Sequence, residues 1–237
     1  INTHSQSILE KTIMTENSLP VLYSFKRCPY AIRARVALAF AQIDHIHREI
    51  DLKNKHPDFL KLSPKGTVPV LNLPEQNNTL EESYDIVVFA LNHHLPNQWQ
   101  NNHILDTEEI QSLYKNLNEK AIPAIRRIKY ASMQKENTSQ DDTIIINSYL
   151  KTLDQKLGTN TSILTTPSAI DILIFPNLRQ LVIHDDTWLD RYEFKNIKNW
   201  IRHWTEHEVF KRIFVNQPLW NKDQKPIIIH NNQKTNL

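Results

Sequence analysis

The single cysteine of the chain, Cys28, lies where the β-prone run Val21, Leu22, Tyr23, Ser24, Phe25 gives way to Cys28 Pro29 Tyr30 Ala31 and then to a helical pattern. Ile32, Val36, Ala39 and Phe40 recur at spacings of three and four, with Arg33 and Arg35 on other faces, so the period switches from two to 3.6 at the cysteine. Proline suits the first turn of a helix, where its missing N–H has no intrahelical partner, and this places Cys28 at or beside the N-cap. A thiol there faces the positive end of the helix dipole and several free backbone N–H groups. Both stabilise a thiolate and lower a pKa that is about 8.5 in a free cysteine. Lys26 and Arg27 add positive charge beside it. The expected chemistry is that of a nucleophilic thiolate.

Two further pairs could hold a ligand near such a thiol. In the run Val68 Pro69 Val70 Leu71 Asn72 Leu73, proline cannot donate to a neighbouring strand, so the strand must start there or lie at an edge. With a cis Val68–Pro69 bond, the Val68 backbone would turn outward and could pair with an extended, peptide-like ligand. Ser83 is expected to cap a helix carrying Ile86, Val87, Phe89, Ala90 and Leu91. Its hydroxyl, the free N–H groups of that first turn and the dipole together suit a ligand carboxylate, and Glu82 suits a ligand ammonium.

The elements that must position these residues follow from the pattern on either side. His45 to Leu52 alternates as a second strand, Lys53 Asn54 Lys55 is a polar link, His56 to Leu62 forms one or two helical turns, and Ser63 to Gly66 makes a turn before the third strand. Leu80 Glu81 Glu82 follows as a short fourth strand, which gives βαβ followed by ββα. Leu95 to His103 reads as a linker, and beyond it the chain is helical: Leu105 to Met133 with a break at Pro123, Ile144 to Leu157 ended by Gly158, Thr165 to His184, and Phe194 to Phe214. Ser168 and Asp171 have the spacing of a reciprocal capping box. The expected domains are residues 19–95, α/β, and residues 104–220, all-α. Residues 1–18 are expected to be a disordered or appended extension, and residues 221–237 a tail that wraps the surface or frays, polar apart from Ile227, Ile228 and Ile229.

Composition narrows the partners. A net charge of +2, from 28 basic and 26 acidic residues among 237, gives no reason to expect nucleic acid or an anionic membrane as a partner. One cysteine excludes an intrachain disulfide, and no apolar run reaches the roughly 18 residues of a membrane span, which fits a reducing cytoplasm. His203 and His207 have the i, i+4 spacing of a metal pair, and His93 adjoins His94, but no Cys or carboxylate set completes a ligand shell, so no metal is expected. Trp200, Trp204, Phe210 and Phe214 fall at helical spacing and are read as core.

Taken together, Cys28 Pro29 Tyr30 Ala31, Leu52 Lys53 Asn54 Lys55, Gly66 Thr67 Val68 Pro69 Val70 Leu71 and Glu82 Ser83 resemble the glutathione transferase superfamily, and within it the omega-like, cysteine-containing members. The resemblance covers roughly Leu19 to Leu95; in the helical half only the Ser168 to Asp171 box and Pro218 Leu219 Trp220 recur. It implies a thioredoxin-like N-terminal domain, a helical bundle C-terminal domain, a homodimer, and glutathione as cofactor together with a small electrophilic or disulfide substrate. It also implies that Cys28 forms a mixed disulfide with glutathione, that Tyr30 and Lys55 contact the tripeptide from the rim, and that Val68 beside Pro69 pairs with its cysteinyl backbone. Glu82 and Ser83 would hold the γ-glutamyl end, and Trp220 would lie over the second-substrate pocket. Tyr30 stands where many omega-class members have phenylalanine. Conjugating relatives use a tyrosine or serine to stabilise the glutathione thiolate, so Tyr23, Ser24 and Tyr30 rival Cys28, and glutathione conjugation or a non-catalytic binding scaffold stands beside thiol transfer.

Overall fold

A computed structural model of the chain describes residues 18–99, 107–134 and 136–231. Residues 1–17, which carry nearly all of the expected N-terminal extension, lie outside the described residues, as do 100–106 at the expected linker and 232–237 of the tail.

Strand β1 (Val21–Ser24) is buried along its whole length, as a run covered on both faces must be. Helix α1 (Pro29–Phe40) crosses over to β2 (His45–Glu49), which pairs parallel to β1 with Val21 opposite Ile46. After α2 (Pro57–Leu62), β3 (Val70–Leu73) returns antiparallel on the other side of β1, with Tyr23 opposite Val70. Strand β4 (Asn78–Leu80) pairs with β3 two residues earlier than its sequence pattern suggests, because Pro74–Gln76 is a 3-10 turn closed by Asn77 at φ 46°. Helix α3 (Ser83–His93) completes a thioredoxin-like N-terminal domain.

The helical part comprises α4 (Glu108–Asn116), a π-helical turn over Leu117–Ala121, α5 (Ile122–Gln134), α6 (Gln140–Leu157), α7 (Ala169–His184), α8 (Trp188–Arg191), α9 (Lys195–Glu206) and α10 (Glu208–Ile213). The expected break at Pro123 takes the form of that π-helical turn just upstream, where the proline removes a donor and crowds the preceding carbonyl. Helix α7 is buried through most of its length and packs on α1, which ties the two parts together.

One expectation is corrected. The tail neither wraps nor frays at Ile227–Ile229; it forms β5, antiparallel to β2 with His47 opposite Ile227, and the sheet order is β4-β3-β1-β2-β5. Three β-branched residues meet an otherwise open strand edge there. Arg33 and Arg35 do not face solvent. Because α1 packs against α3, α7 and α10 as well as the sheet, every residue from Ala31 to Ala39 is buried and no polar stripe remains.

Candidate functional site

An open cavity of about 1370 Å³ is lined by Cys28, Tyr30, Lys55, Val68, Pro69, Glu82 and Ser83, together with Leu52, Lys65, Gly66, Thr67, Glu81 and, from the helical part, Asn118. Four loops converge to form it: the β1–α1 turn, the β2–α2 link, the α2–β3 turn and the entry to α3.

Cys28 is the N-cap of α1, in extended geometry (φ −73°, ψ 121°), with Pro29 at the first helical position and no side-chain cap bond. Its carbonyl accepts the first intrahelical bond from the Ile32 N–H at 2.9 Å. The half-buried thiol donates to the Val68 carbonyl at 3.6 Å across the cavity floor. Burial pushes the thiol above its ordinary pKa, outweighing the opposite pull of the Ala31 and Tyr30 N–H groups and of the Arg35 and Arg33 guanidinium groups. The depressed pKa expected from the N-cap position alone is thus reversed by desolvation. The nearby cations contribute differently than their sequence position suggests. Lys26 donates through Nζ to the Asn216 side chain, and Arg27 lies over the Phe25 ring at 5.7 Å.

The Val68–Pro69 peptide bond is cis. Lys55 lies against Gly66, which holds φ +61°; a Cβ at that position would meet the Leu60 side chain at 3.0 Å and Lys55 at 3.3 Å. Gly66 thus both makes the turn and leaves room for the lysine stem. Glu82, an exposed residue, pairs with Lys65 at 2.9 Å and holds the N-cap of α3 without a side-chain cap bond. Ser83, expected at that cap, is the first helical residue instead. Its buried Oγ accepts from Arg33 Nη1 at 3.3 Å.

Arg33 is the residue that sequence reasoning missed. Only 1% exposed, it forms no ion pair with a carboxylate among the described residues. Its guanidinium lies 4.9 Å from the Tyr30 ring centroid and 6.0 Å from that of Tyr114. With the Asn177 amide oriented oxygen-inward, that oxygen accepts from Nη2 at 2.6 Å and Nε at 3.3 Å. The i, i+3 spacing of Tyr30 and Arg33 was the available local signal.

Trp220 is not part of the cavity lining. It packs with its ring centroid 4.5 Å from His56 and 5.7 Å from Tyr23, under the Arg48 guanidinium, and its backbone N–H donates to the Glu49 carbonyl at 2.7 Å. Of the rivals to Cys28, Tyr23 accepts from Arg48 Nη1 at 2.5 Å, Ser24 is buried in β1, and Tyr30 alone of the three lines the cavity. His203 and His207 lie with ring centroids 6.4 Å apart, and no group of three or more potential metal ligands occurs among the described residues. No helix among them is long and apolar enough to cross a membrane.

Residues 27–92 match the family model described as "Glutathione S-transferase, N-terminal domain". Over 65 residues the chain is 35% identical to a glutathione S-transferase-like protein, tpcF, of Aspergillus fumigatus, covering 26% of this chain and 29% of that protein. Over 53 residues it is 47% identical to glutathione S-transferase 1 of Dianthus caryophyllus, covering 21% and 24%. These matches span less than a third of either relative's length. In structure the chain is similar to glutathione transferase Omega 3C from Trametes versicolor, with a TM-score of 0.66, 22% identity, and 82% and 83% of the two chains covered. It is also similar to a glutathione transferase from Pseudomonas putida with one glutathione disulfide bound per subunit, with a TM-score of 0.70, 17% identity, and coverage of 84% and 91%.

Proposed function

We propose that this chain, whose residues 27–92 match the glutathione S-transferase N-terminal domain and whose fold is that of glutathione transferases, is a glutathione-dependent thiol transferase or reductase of that superfamily that acts through a Cys28–glutathione mixed disulfide. One observation carries the reading: Cys28 opens onto the same cavity as the Val68 backbone, Tyr30, Lys55, Glu82 and Ser83. In this scheme the Val68 backbone pairs with the cysteinyl unit of glutathione beside Pro69, Glu82 and Ser83 hold its γ-glutamyl end, and Tyr30 and Lys55 contact it from the rim. A small electrophilic or disulfide compound is the second substrate of this omega-like enzyme, and the setting is a homodimer in a reducing cytoplasm.

The Cys28 thiolate attacks the glutathionyl sulfur of a substrate disulfide; a bond from Cys28 to that sulfur forms as the substrate's S–S bond breaks, and the departing substrate thiolate takes a proton. Cys28 then leaves as thiolate when the thiolate of a second glutathione attacks the mixed disulfide, which releases oxidised glutathione and restores the site. The two electrons gained by the substrate come from the pair of glutathione thiols, so one cysteine suffices. The thiol donates a hydrogen bond to the Val68 carbonyl. A ligand backbone that takes this carbonyl removes a stabiliser of the protonated form, while the Ala31 and Tyr30 N–H groups remain to favour the thiolate.

Disulfide exchange with a glutathionylated peptide should fall to the uncatalysed background in Cys28→Ser; turnover near that of the unmodified protein would sink the reading. A second reading, conjugation of glutathione to an electrophile, is favoured by the position of Tyr30 in the same cavity and by the burial that disfavours a Cys28 thiolate. It wins if the protein lacks exchange activity while Cys28→Ala keeps full conjugating activity.

A further inference from the structure

We infer that Arg33 is a positioning residue for both ends of this cavity: it turns the Ser83 hydroxyl into an outward donor for a ligand carboxylate, and together with Arg35 it adds positive charge that favours a Cys28 thiolate. The carboxylate half rests on the proposed glutathione reading; the charge half does not.

A guanidinium has donors and no acceptor, so the Arg33 Nη1 to Ser83 Oγ contact of 3.3 Å uses an oxygen lone pair. The hydroxyl proton must then turn away from Arg33. Ser83 is the first residue of α3, and no preceding helical turn offers a carbonyl for the usual back-bond. The proton therefore points to the cavity that Ser83 lines, where it can be donated to an anion.

The charge of Arg33 is left uncancelled by its neighbours. From α1 it meets Tyr30 and Cys28, from α3 Ser83, from α4 Tyr114, from α6 Tyr149 and from α7 Asn177, and none of these is a carboxylate. The buried Tyr149 hydroxyl has no hydrogen-bond partner among the described residues. Arg35 differs: Glu49 opposes its charge, and its Nη1 and Nη2 donate to the carbonyls of Ile213 at 2.9 Å and Lys26 at 2.6 Å. At the cavity rim Lys65 is answered by Glu82 at 2.9 Å. A purely structural site would be better served by an ion pair or an apolar residue, since a lone buried cation carries a desolvation cost without return. The anions that would answer Arg33 are those the cavity receives: a ligand carboxylate at Ser83 and the thiolate at Cys28.

The test measures the pH profile of Cys28 alkylation, which needs no glutathione, and the affinities for S-methylglutathione and for an analogue in which hydrogen replaces the γ-glutamyl carboxylate. Arg33→Met should raise the alkylation midpoint by about one pH unit and reduce the preference for the carboxylate-bearing ligand about tenfold. Ser83→Ala should lose the same preference with the midpoint unmoved, and the two changes combined should lose no more preference than either alone. Arg33→Lys, which keeps the charge without the fork, should restore the midpoint and only part of the preference. A folded Arg33→Met with an unmoved midpoint, or with its preference intact, overturns the inference. Should Arg33→Met fail to fold, Arg33→Lys decides, and a midpoint and preference that both stay at the original values or are both lost would overturn it. If the unaltered protein binds neither ligand, the glutathione reading fails and with it the Ser83 half, while the midpoint still judges the charge.

Discussion

Two helix starts in this molecule, those of α7 and α1, solve the same problem in opposite ways. At α7 the carboxylate of Asp171 is fully buried and accepts four hydrogen bonds: Oδ2 from the Ser168 N–H at 3.1 Å and Oγ at 3.0 Å, Oδ1 from the Ile163 N–H at 2.9 Å and Trp200 Nε1 at 2.9 Å. That start is closed. At α1 the N-cap side chain makes no cap bond, and the N–H groups of Tyr30 and Ala31 point at a sulfur that opens onto a cavity. A buried carboxylate at a helix start whose hydrogen bonds all come from the protein contributes stability, whereas helix-start donors left for a titratable or incoming group can do chemistry.

The sharpest break of this contrast is Asp171→Ala. It leaves the Ile163 and Ser168 N–H groups and the Trp200 indole N–H buried without acceptors, and should cost about 3 to 5 kcal/mol. A melting curve checks this; glutathione affinity of the folded fraction should be nearly unchanged. A loss under about 1 kcal/mol would mean that α7 starts no more firmly than a surface helix.

The pH dependence of stability sharpens the same point. Burial raises Asp171 to about 6 against its four donors, whereas a carboxyl in the unfolded chain titrates near about 3.9. Between these values the folded state holds a proton that the unfolded state has released, so this contribution is full below about pH 4 and is lost as pH rises through about 6, a span on the order of 3 kcal/mol. Denaturant unfolding across that range should show the decline, and Asp171→Ala should lack it. At the open start, Cys28 should be alkylated by iodoacetamide with a midpoint above the roughly 8.5 of a free cysteine, because desolvation outweighs the local donors. Raising salt should move that midpoint little, since Arg33 and Arg35 are both buried.

Much of this contrast was legible in the residues. The strand–proline–helix switch located Cys28, and the spacing of Ser168 and Asp171 located the cap, because both are local patterns along one element. What the patterns could not carry was the environment. The dipole and the free N–H groups at Cys28 follow from its position in the helix, but the burial that reverses their effect depends on the fold around it. Likewise Arg33 and Arg35 show which faces of α1 they occupy, not that α3, α7 and α10 cover those faces. Trp200 joins the Asp171 cap, and Ile227–Ile229 joins β2, through pairings distant in sequence that leave no local trace. The convergence of Cys28, Tyr30, Lys55, Val68, Pro69, Glu82 and Ser83 on one cavity was expected from family motifs; Trp220, placed by the same resemblance over a second-substrate pocket, packs on Tyr23 and His56.

The measurement that bears most directly on the open start is the intact mass of the protein after incubation with oxidised glutathione. The expected result is a gain of one glutathionyl group, located on Cys28, removed by added reduced glutathione and absent in Cys28→Ser. An unchanged mass, at neutral pH and again above the alkylation midpoint of Cys28, would contradict the mixed disulfide and with it thiol transfer at this site.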